Sequence, residues 1–398
     1  MKTILLLSFC ILSLCLCQAQ NKQYTIKGHI DGKCDGMKVM LLNTSEYPPI
    51  TVDSTVIRNN RFEMKGQVAA PAMYRWIIDK TPQGEESNGD NWLSGWFYLE
   101  NSDLTFSGDI ATLPIYYWDP DRKSKRPMVI QGSATEDLHQ NYQKSVATLD
   151  KEYSRLDNEY LTKYHQPSMD GVFNTAEGIR LARQITAIRD KKDKITLDFI
   201  HQHPASIVAY DLAERYLDGE VSLTAAQIDG LTEVLSKAWG DCPKTTGFKA
   251  KAGIARKNAI GEPYQDIELT NTEGKTVKLS QYVPKGKYIM LEFWASWCGP
   301  CRGEIPHLKH VWKEYKDKGF DIVSISIDEK NKDWQKALHE EKMDWTQLDD
   351  PKGDLGPTRK VYNIMGVPAC ILLDKEGRIY KTDMRGAFLD AELVNLCK

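Results

Sequence analysis

The sequence lacks the features that most directly announce a function. No glycine-rich loop of the Walker or dinucleotide type is present, which removes that route to nucleotide chemistry. Basic charge is not in surplus: 52 Lys and Arg against 55 Asp and Glu give a formal net charge of −3. Nucleic-acid binding, which needs a basic face, gains no support. Past the first twenty residues no apolar run is long enough to span a bilayer. There is no internal repeat and no low-complexity tract. No second Cys-x-x-Cys stands at finger-like spacing, so half of a zinc site is the weaker reading of the one pair present. What is there is ordinary globular material, 41% hydrophobic and 27% charged over 398 residues. That length suggests two or three domains.

The start reads as an export signal over residues 1–19. Lys2 supplies the positive end, Ile4 to Leu16 the apolar core, and Cys17-Gln18-Ala19 an approximate cleavage site. A lipoprotein signal acylated at Cys15 or Cys17 ranks second, because Leu precedes each cysteine. The expected setting is periplasmic and oxidising, with no membrane span in the mature chain.

Residues 20–132 read as β-rich. Tyr24 to Ile30 alternates at period two, and further short runs of strand type are separated by Asp31-Gly32, Asp35-Gly36, Asn59-Asn60 and Pro71. A β-sandwich or open barrel is expected. The aromatics Trp92, Trp96, Phe97, Tyr116, Tyr117 and Trp118 are read first as packing and second as a partner surface. Residues 133–240 read as helical, with Leu181, Ile185, Ile188, Ile195 and Phe199 along one face. This middle segment reads as a spacer bundle without nameable chemistry. His201 and His203 do not share a helix face and have no ligand cluster, so a metal site there is not expected. Residues 241–257, polar and basic, read as an irregular linker. From residue 258 to 398 strands and helices alternate, the α/β pattern.

The chemistry is concentrated in Trp297-Cys298-Gly299-Pro300-Cys301, between the apolar run Tyr288 to Trp294 and a helical pattern with Leu308, Val311, Trp312 and Tyr315. Only a thiolate attacks a disulfide. Cys298 lies where a helix begins, and the unpaired N–H groups there favour negative charge. It is the candidate nucleophile, and Cys301, one turn on, the resolving thiol. Pro300 sits in the first turn, where its missing N–H costs little. Glu292 interrupts an apolar strand. Burial there raises a carboxyl pKa and fits it to exchange a proton with Cys301. Glu304, three residues after Cys301 on the same helix, is either a direct participant or a solvent-facing carboxylate. His307 reads as a surface side chain. Cys34 and Cys242 are candidates for pairing in an oxidising compartment, and Cys370 for a buried thiol.

Phe293 to Cys301 is similar to the active site of thioredoxins. Gly261-Glu262-Pro263, the hairpin Thr272 to Leu279, Cys301-Arg302-Gly303-Glu304-Ile305-Pro306 and Val361 to Ile364 with Val367-Pro368 resemble the TlpA/ResA-like exported branch of that family. The resemblance covers about residues 257–398. It implies a thioredoxin fold, a redox-active disulfide Cys298–Cys301 and no other cofactor or metal. It also implies a buried acid at Glu292 (usually Asp in thioredoxins), a Glu at 304 that tunes the thiols, and a cis-proline at Pro368, with Val367 before it pairing with the bound substrate chain. Trp294 and Trp297 would flank the site. The strands of the N-terminal region look like a β domain of unknown function that precedes thioredoxin modules in some exported proteins.

The resulting expectation is a periplasmic reductase of protein disulfides, fed by a membrane thiol–disulfide electron donor. Cytochrome c maturation and general redox homeostasis are the usual tasks of this branch. Two alternatives stand. A thiol peroxidase shares the fold, but a Pro-x-x-x-Thr-x-x-Cys pattern is absent around Cys298. A partner-binding protein with an accessory redox module is the other.

Overall fold

The computed structural model describes residues 23–45, 48–82, 84–117 and 125–398. The expected signal segment and Trp118 lie outside the described residues. The chain divides into two compact units, the first ending at Asn141 and the second beginning at Tyr142.

The first unit is β-rich. Its strands are β1 (Tyr24–Asp31), β2 (Lys38–Asn43), β3 (Ile50–Val56), β4 (Arg61–Gly66), β5 (Ala72–Asp79), β6 (Trp92–Leu99), β7 (Asp103–Asp109) and β8 (Val129–Gln131). They form two four-stranded sheets, ordered β4-β1-β7-β8 and β3-β2-β5-β6. Alternation along β1 sends Tyr24, Ile26, Gly28 and Ile30 inward. These meet Trp76, Ile78, Phe97 and Leu99 of the other sheet in one apolar core. Two separate sheets enclose one core between them, which is the sandwich of the two expected options. The aromatic stretch divides between two roles. Phe97 is core, whereas Trp92 and Tyr116 pack edge to face against a smaller cluster on the outer side. Trp96 and Tyr117 are exposed, and the Arg75 guanidinium sits 3.7 Å from the Tyr116 ring centroid. Cys34 is a buried free thiol whose S–H donates to the Ile30 carbonyl.

Helix α1 (Ala134–Tyr160) runs from the end of the first unit into the second. One π-helical turn, Leu161–His165, leads into α2 (Gln166–Met169). Then follow α3 (Thr175–Gln202), α4 (Ile207–Arg215), α5 (Ala225–Trp239) and α6 (Pro243–Lys257). Helix α5 opens on a reciprocal cap: Thr224 accepts from Gln227 N–H and the Gln227 side chain accepts from Thr224 N–H.

Helix α6 corrects the expectation of an irregular linker over residues 241–257. Pro243 sits at the first position, where its missing donor is harmless. Thr245 and Cys242 cap each other, and Phe248 and Ala252 bury one face. The Phe248 ring lies 5.8 Å from Tyr210 of α4. The polar, lysine-rich residues that suggested a linker occupy the solvent side. Cys242 is a free thiol at this cap, not half of a bridge.

The last part is built on a seven-stranded mixed sheet, ordered β10-β9-β13-β12-β11-β14-β15. Its elements are β9 (Glu268–Asn271), β10 (Thr276–Lys278), β11 (Tyr288–Trp294), α7 (Gly299–Tyr315), β12 (Phe320–Ser326), α8 (Asn331–Glu341), β13 (Thr346–Asp349), α9 (Pro357–Tyr362), β14 (Ala369–Leu373), β15 (Ile379–Thr382) and α10 (Ala387–Leu396). Strand β11 is central, parallel to β12 and antiparallel to β14. Leu291 and Phe293 face one core with Val323, Ile325 and Leu373. Met290 faces the other, with Leu308 of α7 and Leu389 and Leu393 of α10. Each such fully buried side chain contributes about 1.5–3 kcal/mol. Both faces of β11 are therefore committed, which fixes its C-terminal end and the loop that follows. No helix among the described residues is long and apolar enough to cross a membrane.

Candidate functional site

Strand β11 ends at Trp294, and Ala295 to Trp297 carry the chain into α7. This loop is held from below by Asp328, a buried carboxylate. It accepts from Ser296 N–H at 2.8 Å, Ser296 Oγ at 2.6 Å and Ser326 Oγ at 2.8 Å. Cys298 is the N-cap of α7, in an extended conformation, and Pro300 occupies the first turn. Cys298 and Cys301 are joined by a disulfide with their Cα atoms 5.3 Å apart. The Cys301 N–H points at Cys298 Sγ, 3.1 Å away. That is the sequence-expected geometry: an orphan donor of the first helical turn aimed at the sulfur that would carry negative charge. Cys298 is 4% exposed and Cys301 1%, so of the two Cys298 offers more surface to a substrate.

Trp297 is 69% exposed beside this sulfur pair, whereas Trp294 is buried in one cluster with Ala295, both cysteines and Trp334. The two tryptophans thus differ: Trp294 is floor and Trp297 is rim. Gly299 has open space around the position a Cβ would take. The Val367–Pro368 peptide is cis, and Val367 packs against the same cluster as the cysteines. Pro368 also lines a cleft of about 750 Å³ with Asn363, Met365, Cys370, Thr382 and Asp383.

Glu292 lies on the face of β11 that carries Met290 and Trp294. Its cross-strand partners are Ser324 of β12 and Cys370 of β14. Burial pushes its carboxyl up to about 8; the Ser324 hydroxyl draws it partly back and the negative charge of Glu304 pushes it further up. At neutral pH Glu292 is therefore mostly protonated, yet within reach of ionisation. Cys370 is a buried free thiol, and burial holds its pKa well above the ordinary value.

Glu304 and His307 are buried, at 8% and 1% exposure. This corrects the reading of His307 as a surface side chain and removes the solvent-facing alternative for Glu304. The reason is the turn of α7 that carries them, which faces α10 and the helical middle segment. Glu304 Oε1 accepts from Gly386 N–H at 2.7 Å. It also lies 3.2 Å from His307 Nδ1, an ion-pair distance without hydrogen-bond alignment. On the other side His307 Nε2 is 3.1 Å from Asp390 Oδ1. Tyr164 of the π-helical turn donates to Asp390 Oδ2 at 2.6 Å, and Tyr160 accepts from Ala387 N–H at 3.2 Å. Burial works against the charged form of both groups, but the partners win. Glu304 is held below the usual carboxylate range by His307, Gly386 and Arg385, and His307 is raised to about 9 by Asp390 and Glu304.

Asp390, Tyr164 and Tyr160 escaped the reading of the sequence, and so did the contribution of the middle segment. No local motif marks them, because the Tyr164–Asp390 bond spans 226 positions. Among the described residues no group of His, Cys, Asp and Glu is arranged to hold a metal.

Comparison with known proteins gives two family matches. Residues 260–382 match the AhpC/TSA family, and residues 24–139 match a domain of unknown function, DUF4369. The thiol-disulfide oxidoreductase ResA of Bacillus thuringiensis is 29% identical over 123 residues, 31% of this chain and 68% of the relative. ResA of Geobacillus kaustophilus is 28% identical over 146 residues, covering 37% and 79%. Among solved structures, the thioredoxin domain of a thiol-disulfide oxidoreductase from Bacteroides vulgatus is 35% identical. The match covers 35% of this chain and 99% of that one, with a TM-score of 0.33.

Proposed function

With a C-terminal domain that belongs to the AhpC/TSA family and has the thioredoxin fold, the chain is a thiol–disulfide oxidoreductase, and we propose that it works as a reductase of protein disulfides in the periplasm. The observation that carries this is the Cys298–Cys301 couple at the head of α7, with Cys298 the more exposed of the two and Glu292 buried on the face of β11 whose Trp294 packs on both cysteines.

In the reduced protein the Cys298 thiolate, favoured by the N–H groups of the first turn, attacks one sulfur of a substrate disulfide. A Cys298–substrate disulfide forms, and the departing substrate thiolate takes a proton from solvent. Cys301 then gives its proton to the Glu292 carboxylate and attacks Cys298 Sγ. The Cys298–Cys301 disulfide forms, the second substrate sulfur leaves, and two electrons have passed to the substrate. The exposed Trp297 ring and the cis Val367–Pro368 segment border the sulfur that meets the substrate. No cofactor beyond the disulfide enters this cycle. A membrane thiol–disulfide donor would return the electrons, and the signal-type start of the sequence supports the exported setting. Cytochrome c maturation is the task that would use this chemistry, reducing an apocytochrome disulfide to its two thiols. The β-rich unit and the helical segment would choose which disulfide arrives.

The test is capture. Cys301→Ser removes the resolving thiol, so the mixed disulfide should persist on Cys298 and release its partner with dithiothreitol. Failure to hold any protein by a reducible bond, in a variant whose Cys298 alkylates normally, would contradict the mechanism.

A further inference from the structure

Beneath the cysteines lies a buried charged chain that the reaction as written does not use. It contains two carboxylates, Glu304 and Asp390, with one imidazole between them at 3.2 and 3.1 Å. Nothing in this arrangement is adventitious to one element. Glu304 and His307 come from α7, Asp390 from α10, and the Tyr164 hydroxyl that occupies the second oxygen of Asp390 from the π-helical turn. Two carboxylates buried on either side of one ring are tolerable only if the ring carries a proton on each nitrogen. The other charged and titratable groups facing the chain are Tyr160 on α1, Arg385 before α10, Tyr315 at the end of α7, and Glu292 and Cys370 on the sheet. Arg385 is engaged with Asp383 at 3.2 Å. His310, one turn beyond His307, stacks on Phe173 at 4.2 Å and stands outside the chain. His307 is thus the cation in direct contact with Glu304.

We propose that His307, held as a buried imidazolium between Glu304 and Asp390, is a positioning residue that keeps Glu304 ionised and thereby sets the pH at which Glu292 can accept the Cys301 proton. The inference rests on the reading of Glu292 as proton partner. Its logic is electrostatic. Glu292 sits between Met290 and Trp294 on the face of β11 that packs on α7, where Leu308 meets Met290 and Cys301 meets Trp294 on either side of buried Glu304. Among the described residues Glu304 is the charge that acts on Glu292, and it keeps the Glu292 proton on. Without the imidazolium, burial returns Glu304 to its neutral form, and Glu292 then ionises at lower pH. The helical segment, read from sequence as a spacer, acquires a function here. Through Tyr164 it fixes Asp390, and Asp390 fixes the ring.

The measurement is the rate at which a preformed Cys298–substrate disulfide is resolved, followed in single turnover across pH on the full chain. In the native chain the rate rises through the ionisation of Glu292. His307→Gln should move that rise down by about one pH unit, the size of a nearby-charge effect. Glu304→Gln should do the same, and the double variant should move it no further. A His307→Gln profile in its original place, or displaced upward, overturns the proposal. A uniform loss of rate without displacement, which a purely structural role would give, also overturns it. Glu292→Gln separates the two layers. If it keeps the native rise, the reading of Glu292 fails and the proposal with it; if it loses the rise while His307→Gln leaves it in place, only the proposal fails. Should His307→Gln not fold, nitrogen NMR of the native chain decides. Both His307 nitrogens should carry protons at pH 7.5, and a neutral ring there contradicts the assignment.

Discussion

Cys298→Ser is expected to abolish reduction of insulin-type disulfides, a loss on the order of 10³-fold or more, as removal of a nucleophile produces in other enzymes. A hydroxyl at that position is not ionised near neutral pH, and among the described residues no other sulfur is placed to act for it. Cys242, the one partly exposed free thiol, caps α6 with no second cysteine one turn on. Cys301 is 1% exposed and sits behind Cys298. Cys370 is buried, and its burial keeps it in the thiol form. Cys34 is buried in the β-rich unit. The fold should survive, because Ser preserves the N-cap: its oxygen accepts from the Cys301 N–H where sulfur now does. Turnover measured with dithiothreitol as reductant checks this, with circular dichroism to establish that the variant is folded. Native activity in Cys298→Ser would remove the mechanism.

Glu292→Gln should separate stability from turnover. The carboxyl is raised from 4.5 to about 8. Between those values the folded chain binds more protons than the unfolded one, so folding stability falls as pH rises. The contribution is complete below about 4.5 and lost as pH passes through 8. Its size is a few kcal/mol. His307, raised from 6.5 to about 9, acts in the same sense over a higher window. It contributes fully below 6.5 and not above 9. Glutamine cannot ionise, so at pH 9 Glu292→Gln should melt about 5 °C or more above the native chain, with little difference at pH 4.5. The same substitution removes the proton acceptor for Cys301. Resolution at pH 8 should slow by about 10²-fold, the lower end of general-base effects. Differential scanning calorimetry at both pH values and single-turnover resolution check the two halves. A variant equally stable at both pH values and undiminished in rate would show that Glu292 is ionised or solvated in the native protein.

How much of this was visible in the sequence depends on how local each signal is. The Cys298–Cys301 couple, its place at a strand-to-helix junction and the helix behind it follow from neighbouring residues. The burial of Glu292 is legible because a lone acid stands out in the apolar run Tyr288 to Trp294. Helix α6 was not legible, because its buried face is only Thr245, Phe248 and Ala252 among lysines and glycines. Strand β13 is only four residues long, and Asp349 at its end is followed directly by Asp350, a turn-like composition. The burial of His307 is hidden for a different reason. Histidine on a helix is uninformative by itself, and what buries this one is Asp390, 83 positions away. Buried polar chains assembled from distant elements leave no periodicity for a sequence to display. The helical segment reads as a spacer on the same grounds, since its two contributing tyrosines look like ordinary core aromatics.

The Cys298–Cys301 couple is expected to give electrons away. The reduction potential of Cys298–Cys301 tests it most directly, measured by equilibrating the full chain against a dithiothreitol series and trapping free thiols. A Cys-Gly-Pro-Cys couple acting as a reductant should lie near the thioredoxin value of about −270 mV. A potential near −120 mV, the range of a strong disulfide donor, would make the chain an oxidant and contradict the account.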